Sequence, residues 1–136
     1  MVEIHIDYKE QLHCEAKHGP SGTLLDTDAP VDNQGRGESF SPTDLIATAL
    51  GTCMATIMGI AARNKEISLA GMRLKIGKEM SSDLPRRIIA LPVEIWMPVV
   101  EDDPAREFLK NAALSCPVNE SIHPDIEVSI SWNWSK

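Results

Sequence analysis

The run "SPTDLIATALGTCMATIMGIAARN", residues 41–64, limits the fold more than any other stretch of the chain. Ser41 suits an N-cap, and Pro42 suits the first helical position, where a missing N–H costs nothing. Asp44 lies three residues after the cap, so a reciprocal capping box is open, with Asp in place of Glu. Apolar residues at Ile46, Leu50, Cys53, Ile57 and Ile60 recur in steps of four and three, which marks a helical face. Small residues at Ala47, Gly51, Ala55 and Gly59 form a second stripe, each four apart. A mid-helix Gly costs about 1 kcal/mol relative to Ala, so two of them argue for close backbone packing. At 1.5 Å per residue the helix runs ~36 Å, against a radius of gyration of ~14 Å for a globule of this length. It is expected to cross the domain and to be covered on more than one face.

The flanking segments read as strands and short helices. Residues 3–8 and 11–16 alternate apolar and polar, with Lys9–Glu10 as a tight turn, so a hairpin is expected. "TLLD" (23–26) follows the turn "HGPSG" as a third strand, and residues 28–41 read as an exposed loop rich in Gly, Pro, Asp and Ser. Beyond the helix, residues 72–80 and 88–99 alternate again. Pro92 and Pro98 sit on the opposite phase of the second run, which predicts an edge or bulged strand. Asp103–Pro104 opens a helix over 101–116, Pro117 starts a second short one, and residues 125–134 form a last strand. The order predicts a single α+β domain, 1–136, with an antiparallel sheet wrapped around a long central helix. Six strands from one short chain cover such a helix poorly, and a symmetric dimer would supply the rest.

Charge and composition exclude several classes. With a net charge of −7 and a pI near 5.0, the chain is a poor match for a phosphate backbone, so no nucleic-acid partner is expected. The N-terminus lacks a basic region followed by an apolar stretch, and the long apolar segment is interrupted by Thr48, Gly51 and Thr52. No membrane span is expected, and a cytoplasmic location is the simplest reading. No CxxC pair or Cys/His cluster has metal-ligand spacing, so no metal is expected.

Three cysteines remain: Cys14, Cys53 and Cys116. Cys14 reads as a strand residue of the core. If Pro117 begins a helix, Cys116 is its N-cap, where backbone N–H groups and the helix dipole lower a thiol pKa. It is then either a simple cap or an activated thiol. Cys53 lies mid-helix on the apolar face, where burial alone raises a thiol pKa. It is either a small buried hydrophobe or a thiol activated by a charge from another segment. The histidines His5, His13, His18 and His123 show no paired spacing and read as surface or strand residues.

"SPTDLIATALGTC", followed in the second half by "CPVNESI", resembles the OsmC/Ohr family of thiol-dependent hydroperoxide reductases. The likeness extends over nearly the whole chain, and the "LGTC" form is similar to the general OsmC-like branch. The resemblance implies an intertwined homodimer with paired central helices. It implies a cysteine-based peroxidase that reduces organic hydroperoxides to alcohols, with Cys53 forming a sulfenic acid and Cys116 resolving it as a disulfide. It implies no bound cofactor, and an external dithiol reductant such as a lipoylated protein. It also implies an Arg and a Glu that stabilise the reactive thiolate. The Glu position falls on Thr43, so Asp44 beside it is the candidate carboxylate. Arg36, in the Gly-Arg-Gly loop, is the candidate arginine. The missing Glu keeps two alternatives in view: a stress or ligand-binding protein with little turnover, and a general thiol–disulfide exchange protein.

Overall fold

The computed structural model describes Met1–Lys136 in full and divides into two compact units, Met1–Ile46 and Ala47–Lys136. In the first, β1 (Ile4–Tyr8), β2 (His13–His18) and β3 (Leu24–Asp28) form an antiparallel sheet in chain order. The expected hairpin is present, with Tyr8 opposite Cys14. Its connection is longer than the expected two residues. Glu10, Gln11 and Leu12 are all left-handed, with φ of 66°, 54° and 59°. Leu12 therefore belongs to the turn, and its amide donates to the Tyr8 hydroxyl at 3.3 Å. A 3-10 turn, Val31–Asn33, lies within the expected loop.

The long helix α1 spans Pro42–Asn64. Its start is capped as the residues suggest. The Asp44 amide donates to Ser41 Oγ at 3.1 Å, and the Ser41 amide donates to Asp44 Oδ2 at 2.9 Å. Two orphan amides are thus satisfied reciprocally. The C-terminal end turns off through Glu66 at φ 57°, with the Ile67 amide on the Ala62 carbonyl at 2.9 Å.

In the second unit, β4 (Arg73–Ile76), β7 (Val93–Val100) and β8 (Ile130–Ser135) form one sheet in the order β4-β7-β8. β5 (Glu79–Met80) and β6 (Ile88–Ala90) form a small second sheet. The run 88–99 is broken at Leu91–Pro92 into β6 and β7, and β7 is the central strand, not an edge. Pro98 is tolerated there because the β4 pairing ends at Trp96 and the β8 register shifts between Trp96 and Val100. β4–β7 is antiparallel, whereas β7–β8 is parallel. A parallel pair needs a crossover, and here it is supplied by α2 (Arg106–Leu114) and α3 (Pro117–Ser121). α2 begins later than the sequence suggests: Asp103 Oδ1 accepts from the Ala105 amide at 2.8 Å, closing a turn before the helix proper.

The core joins α1 to this sheet. Val93, Ile95, Met97 and Val99 alternate inward along β7, as the period of two requires. They pack with Leu50, Met54, Met58 and Ala62 of α1 and with Leu109 and Ala113 of α2. The buried face of α1 is therefore rotated from the expected one. Ile46 and Ile60 are exposed, and Cys53 and Ile57 lie at its margin. Methionine fills the place expected of isoleucine because its unbranched chain fits irregular gaps. Mean hydropathy reaches 1.9 along α1, enough by composition for a bilayer, but the face it buries is occupied by the sheet.

Gly51 explains part of the small-residue stripe within a single chain. A Cβ there would lie 2.8 Å from Ile76 Cγ1 of β4. Replacing Gly51 with Ala gains about 1 kcal/mol of helix propensity but overpacks the helix–sheet contact at about 1–3 kcal/mol. Gly51→Ala is expected to lower the urea unfolding midpoint, by an amount equivalent to about 1 kcal/mol.

Candidate thiol site

Cys116 is fully buried at the junction of α2 and α3. Pro117 fixes the first helical φ, and the extended backbone of Cys116 (φ −66°, ψ 141°) makes it the N-cap, as the sequence suggests. Its Sγ accepts from the Asn119 amide at 3.4 Å, and Asn119 Nδ2 donates to the Leu114 carbonyl at 3.0 Å, tying α3 back to α2. Cys53 is half-buried on α1 and packs against the same core cluster. The two side chains are neighbours, and Cys53 acts on the Cys116 thiol. Both are free thiols.

Electrostatics at Cys116 correct the expected direction. Burial pushes its thiol pKa up, and the neighbouring Cys53 adds to the rise. The amides of Asn119 and Val118 pull the other way, as an N-cap should, but do not outweigh desolvation. The site therefore pairs a fully buried, protonated thiol with a more accessible one. Met54 and Met58, on the same helix, are buried in the core, and Ile57 is half-buried.

In the first unit, Arg36 is exposed on its loop and has the buried Asp28 as an ion-pair partner, Nη2 to Oδ1 at 3.7 Å. Asp44 is engaged in the helix cap, and Thr43 Oγ1 lies 3.1 Å from Ser41 Oγ. Asp28 and His13 were not singled out by their sequence pattern. His13 Nδ1 donates to Asp28 Oδ1 at 2.7 Å, and the Glu38 amide donates to Oδ2 at 3.2 Å. The signal that could have found them is register: His13 and Asp28 are cross-strand partners in β2–β3. His123, by contrast, is exposed and bonded within its own turn to the Asp125 amide. Cys14 is half-buried in β2.

A family model described as OsmC-like protein matches residues 35–131. The chain belongs to the OsmC-like family. A crystal structure from Psychrobacter arcticus 273-4, provisionally named as an osmotic stress induced and detoxification response protein, is 44% identical with a TM-score of 0.92. The match covers 98% of this chain and 96% of that one. An organic hydroperoxide resistance protein OsmC from Legionella pneumophila shares the fold at 15% identity and a TM-score of 0.79, covering 98% and 96% of the two chains. One from Elizabethkingia anophelis, with thiocyanate bound, does so at 12% and 0.80, covering 99% and 96%. No curated protein sequence matches this OsmC-like chain. The α+β fold with a long helix is thus that of the OsmC/Ohr structures.

The His13 hydrogen bond is the largest influence on Asp28 and holds its carboxyl below the usual range. Burial opposes it, while the charges of His13 and Arg36 and the Glu38 amide reinforce it. A depressed carboxyl pKa contributes stability that is present above the unfolded value and is lost as pH falls through the folded one. Urea midpoints followed downward from neutral pH should therefore fall as Asp28 protonates. In Asp28→Asn that part of the acid limb should flatten.

Proposed function

We propose that this OsmC-like protein is a thiol-dependent peroxidase acting on organic hydroperoxides. The observation that carries the reading is the proximity of two free thiols of unequal burial, Cys53 and Cys116, at the two family motifs. The Cys53 thiolate attacks one oxygen of the O–O bond. The bond breaks, the alcohol leaves with a proton, and Cys53 becomes a sulfenic acid. Cys116 then attacks that sulfur and expels water, forming the Cys53–Cys116 disulfide. An external dithiol, of the lipoylated or small-molecule class, reduces the disulfide by two exchange steps and is itself oxidised. A raised pKa suits the resolving role, because Cys116 stays a thiol until the sulfenic acid forms beside it. Arg36 is the guanidinium assigned to the Cys53 thiolate, since charge and hydrogen bonds from Arg favour the ionised sulfur. The reaction is placed in the cytoplasm, where thiols are kept reduced.

Thr43 favours a second reading, a stress or ligand-binding protein that keeps the fold with little turnover. One experiment separates the two. A stoichiometric pulse of cumene hydroperoxide to reduced protein should be consumed in step with a Cys53–Cys116 disulfide seen by peptide mass spectrometry. Cys53→Ser should slow consumption by about two orders of magnitude, and Cys116→Ser should stop at an oxidised Cys53 without a disulfide. Peroxide lost equally fast by Cys53→Ser would leave the second reading standing.

A homodimer is part of the proposal. Ile46 and Ile60 of α1 are 40% and 51% exposed in one chain, and a Cβ at Gly59 would meet nothing within 4 Å. Within one chain, Gly59→Ala should gain about 1 kcal/mol. At a helix–helix dimer axis it should instead weaken self-association, read by sedimentation velocity across a dilution series. A monomer with a raised unfolding midpoint would count against the dimer.

A further inference from the structure

The end of the main sheet carries a cleft that the thiol chemistry does not use. β7 and β8 pair again at Val100 and Ser135, beyond their register shift. The chain then turns toward α2. The Asp103 amide donates to the Val100 carbonyl at 3.2 Å, and the Arg106 amide to the Asp103 carbonyl at 3.0 Å. A cleft of about 760 Å³ opens there, lined by Glu101, Asp102, Arg106, Trp134 and Lys136 among others. Small-molecule sites occupy roughly 300–1,000 Å³. Neither Cys53 nor Cys116 lines this one.

Arg106 is held in the cleft by its face, not by its edge. Its guanidinium carbon lies 5.5 Å from the centre of the Trp134 ring, within reach of a cation–π contact. Trp134 in turn stacks on Trp132, with ring centres 5.4 Å apart and planes 11° from parallel. Stacking consumes no N–H donor. Nε is buried and has no hydrogen-bond partner. Glu107 Oε1, on an exposed side chain, is 3.8 Å from it, too far for a hydrogen bond. A buried N–H in this state has lost its bond to water without a replacement. An oxyanion in the cleft would restore it, and the planar fork of Arg matches the two oxygens of a carboxylate.

The other charges of the cleft narrow the ligand. Glu101 and Asp102 bring two negative charges, and Arg106 and Lys136 bring two positive ones. A phosphate dianion or a dicarboxylate would meet two carboxylates on its way to Arg106, and a plain amine would meet two cations. A molecule with one carboxylate, one ammonium and no net charge satisfies both signs.

We propose that this cleft binds a small zwitterion of the amino-acid class: the Arg106 fork, Nε–H included, receives its carboxylate, and Glu101 and Asp102 receive its ammonium. The proposal is independent of peroxide turnover and of the roles given to Cys53 and Cys116.

The test uses the full-length, reduced, nitrogen-15-labelled protein. Glycine, 4-aminobutyrate and 6-aminohexanoate probe three charge spacings, each against the same carboxylate without the amine: acetate, butyrate or hexanoate. The Arg106 Nε–H resonance, assigned by its disappearance in Arg106→Lys, is followed through each titration, and tryptophan fluorescence reports on the Trp134 stack. At least one zwitterion should shift both saturably. It should bind about fivefold more tightly than its plain carboxylate, as an exposed ion pair allows. Arg106→Lys keeps the charge but removes the fork, and should weaken binding about tenfold. Glu101→Gln combined with Asp102→Asn should erase the preference for the zwitterion and leave the plain carboxylate bound at least as well. That pair lies on an exposed turn, so it keeps the idea open to refutation if Arg106→Lys does not fold. No saturable shift with any of the three zwitterions would overturn the site. Equal affinity for zwitterion and plain carboxylate, or tighter binding of inorganic phosphate, would overturn the ligand class. Parental affinity in Arg106→Lys would overturn the role of Arg106.

Discussion

The thiol site depends on the packing of one helix stripe against one strand. Leu50, Met54, Met58 and Ala62 bury themselves on the inward residues of β7, and that contact sets the rotation of α1 about its axis. Cys53 is one residue before Met54. With Met54 pointing into the core, Cys53 is turned about 100° away, at the margin of the buried face. Rotated to the face that Ile46 and Ile60 define, the helix would bury Cys53 at the centre of that stripe and carry Met54 away from it. The accessibility of the sulfur is thus a by-product of which stripe the sheet selects.

Much of this was legible in the sequence, and the rest fails for identifiable reasons. The limits of α1, its cap and the place of Cys116 before Pro117 follow from local chemistry, and local chemistry is what a sequence records. The buried stripe of α1 is not legible locally, because two apolar stripes compete on that helix. Isoleucine looks more apolar than methionine and alanine, and nothing local says which stripe meets the sheet. Pro98 suggested an edge strand for a similar reason. A proline forbids one hydrogen bond, and only the register shift beside β8 shows that the bond was not needed. The parallel β7–β8 pair depends on the path of the crossover, which no residue pattern encodes.

The electrostatic surprises have the same origin. The field of an N-cap is a local property and was foreseen at Cys116; its burial is a tertiary property and is larger. Asp28 looked like the first residue of a loop. It became the anchor of that loop once β2 and β3 aligned His13 opposite it. In both cases the missing quantity was the distance of a group from water.

The N-cap at Cys116 separates two requirements that usually fall on one residue. Sulfur is a weak hydrogen-bond acceptor, and serine, threonine, asparagine and aspartate all cap a helix better. Capping therefore gives no reason to prefer cysteine at this position. A relative with serine there would keep the turn from α2 into α3 while surrendering a thiol. In such a chain architecture and redox competence would come apart at a single atom, so an OsmC-like outline by itself does not attest the chemistry.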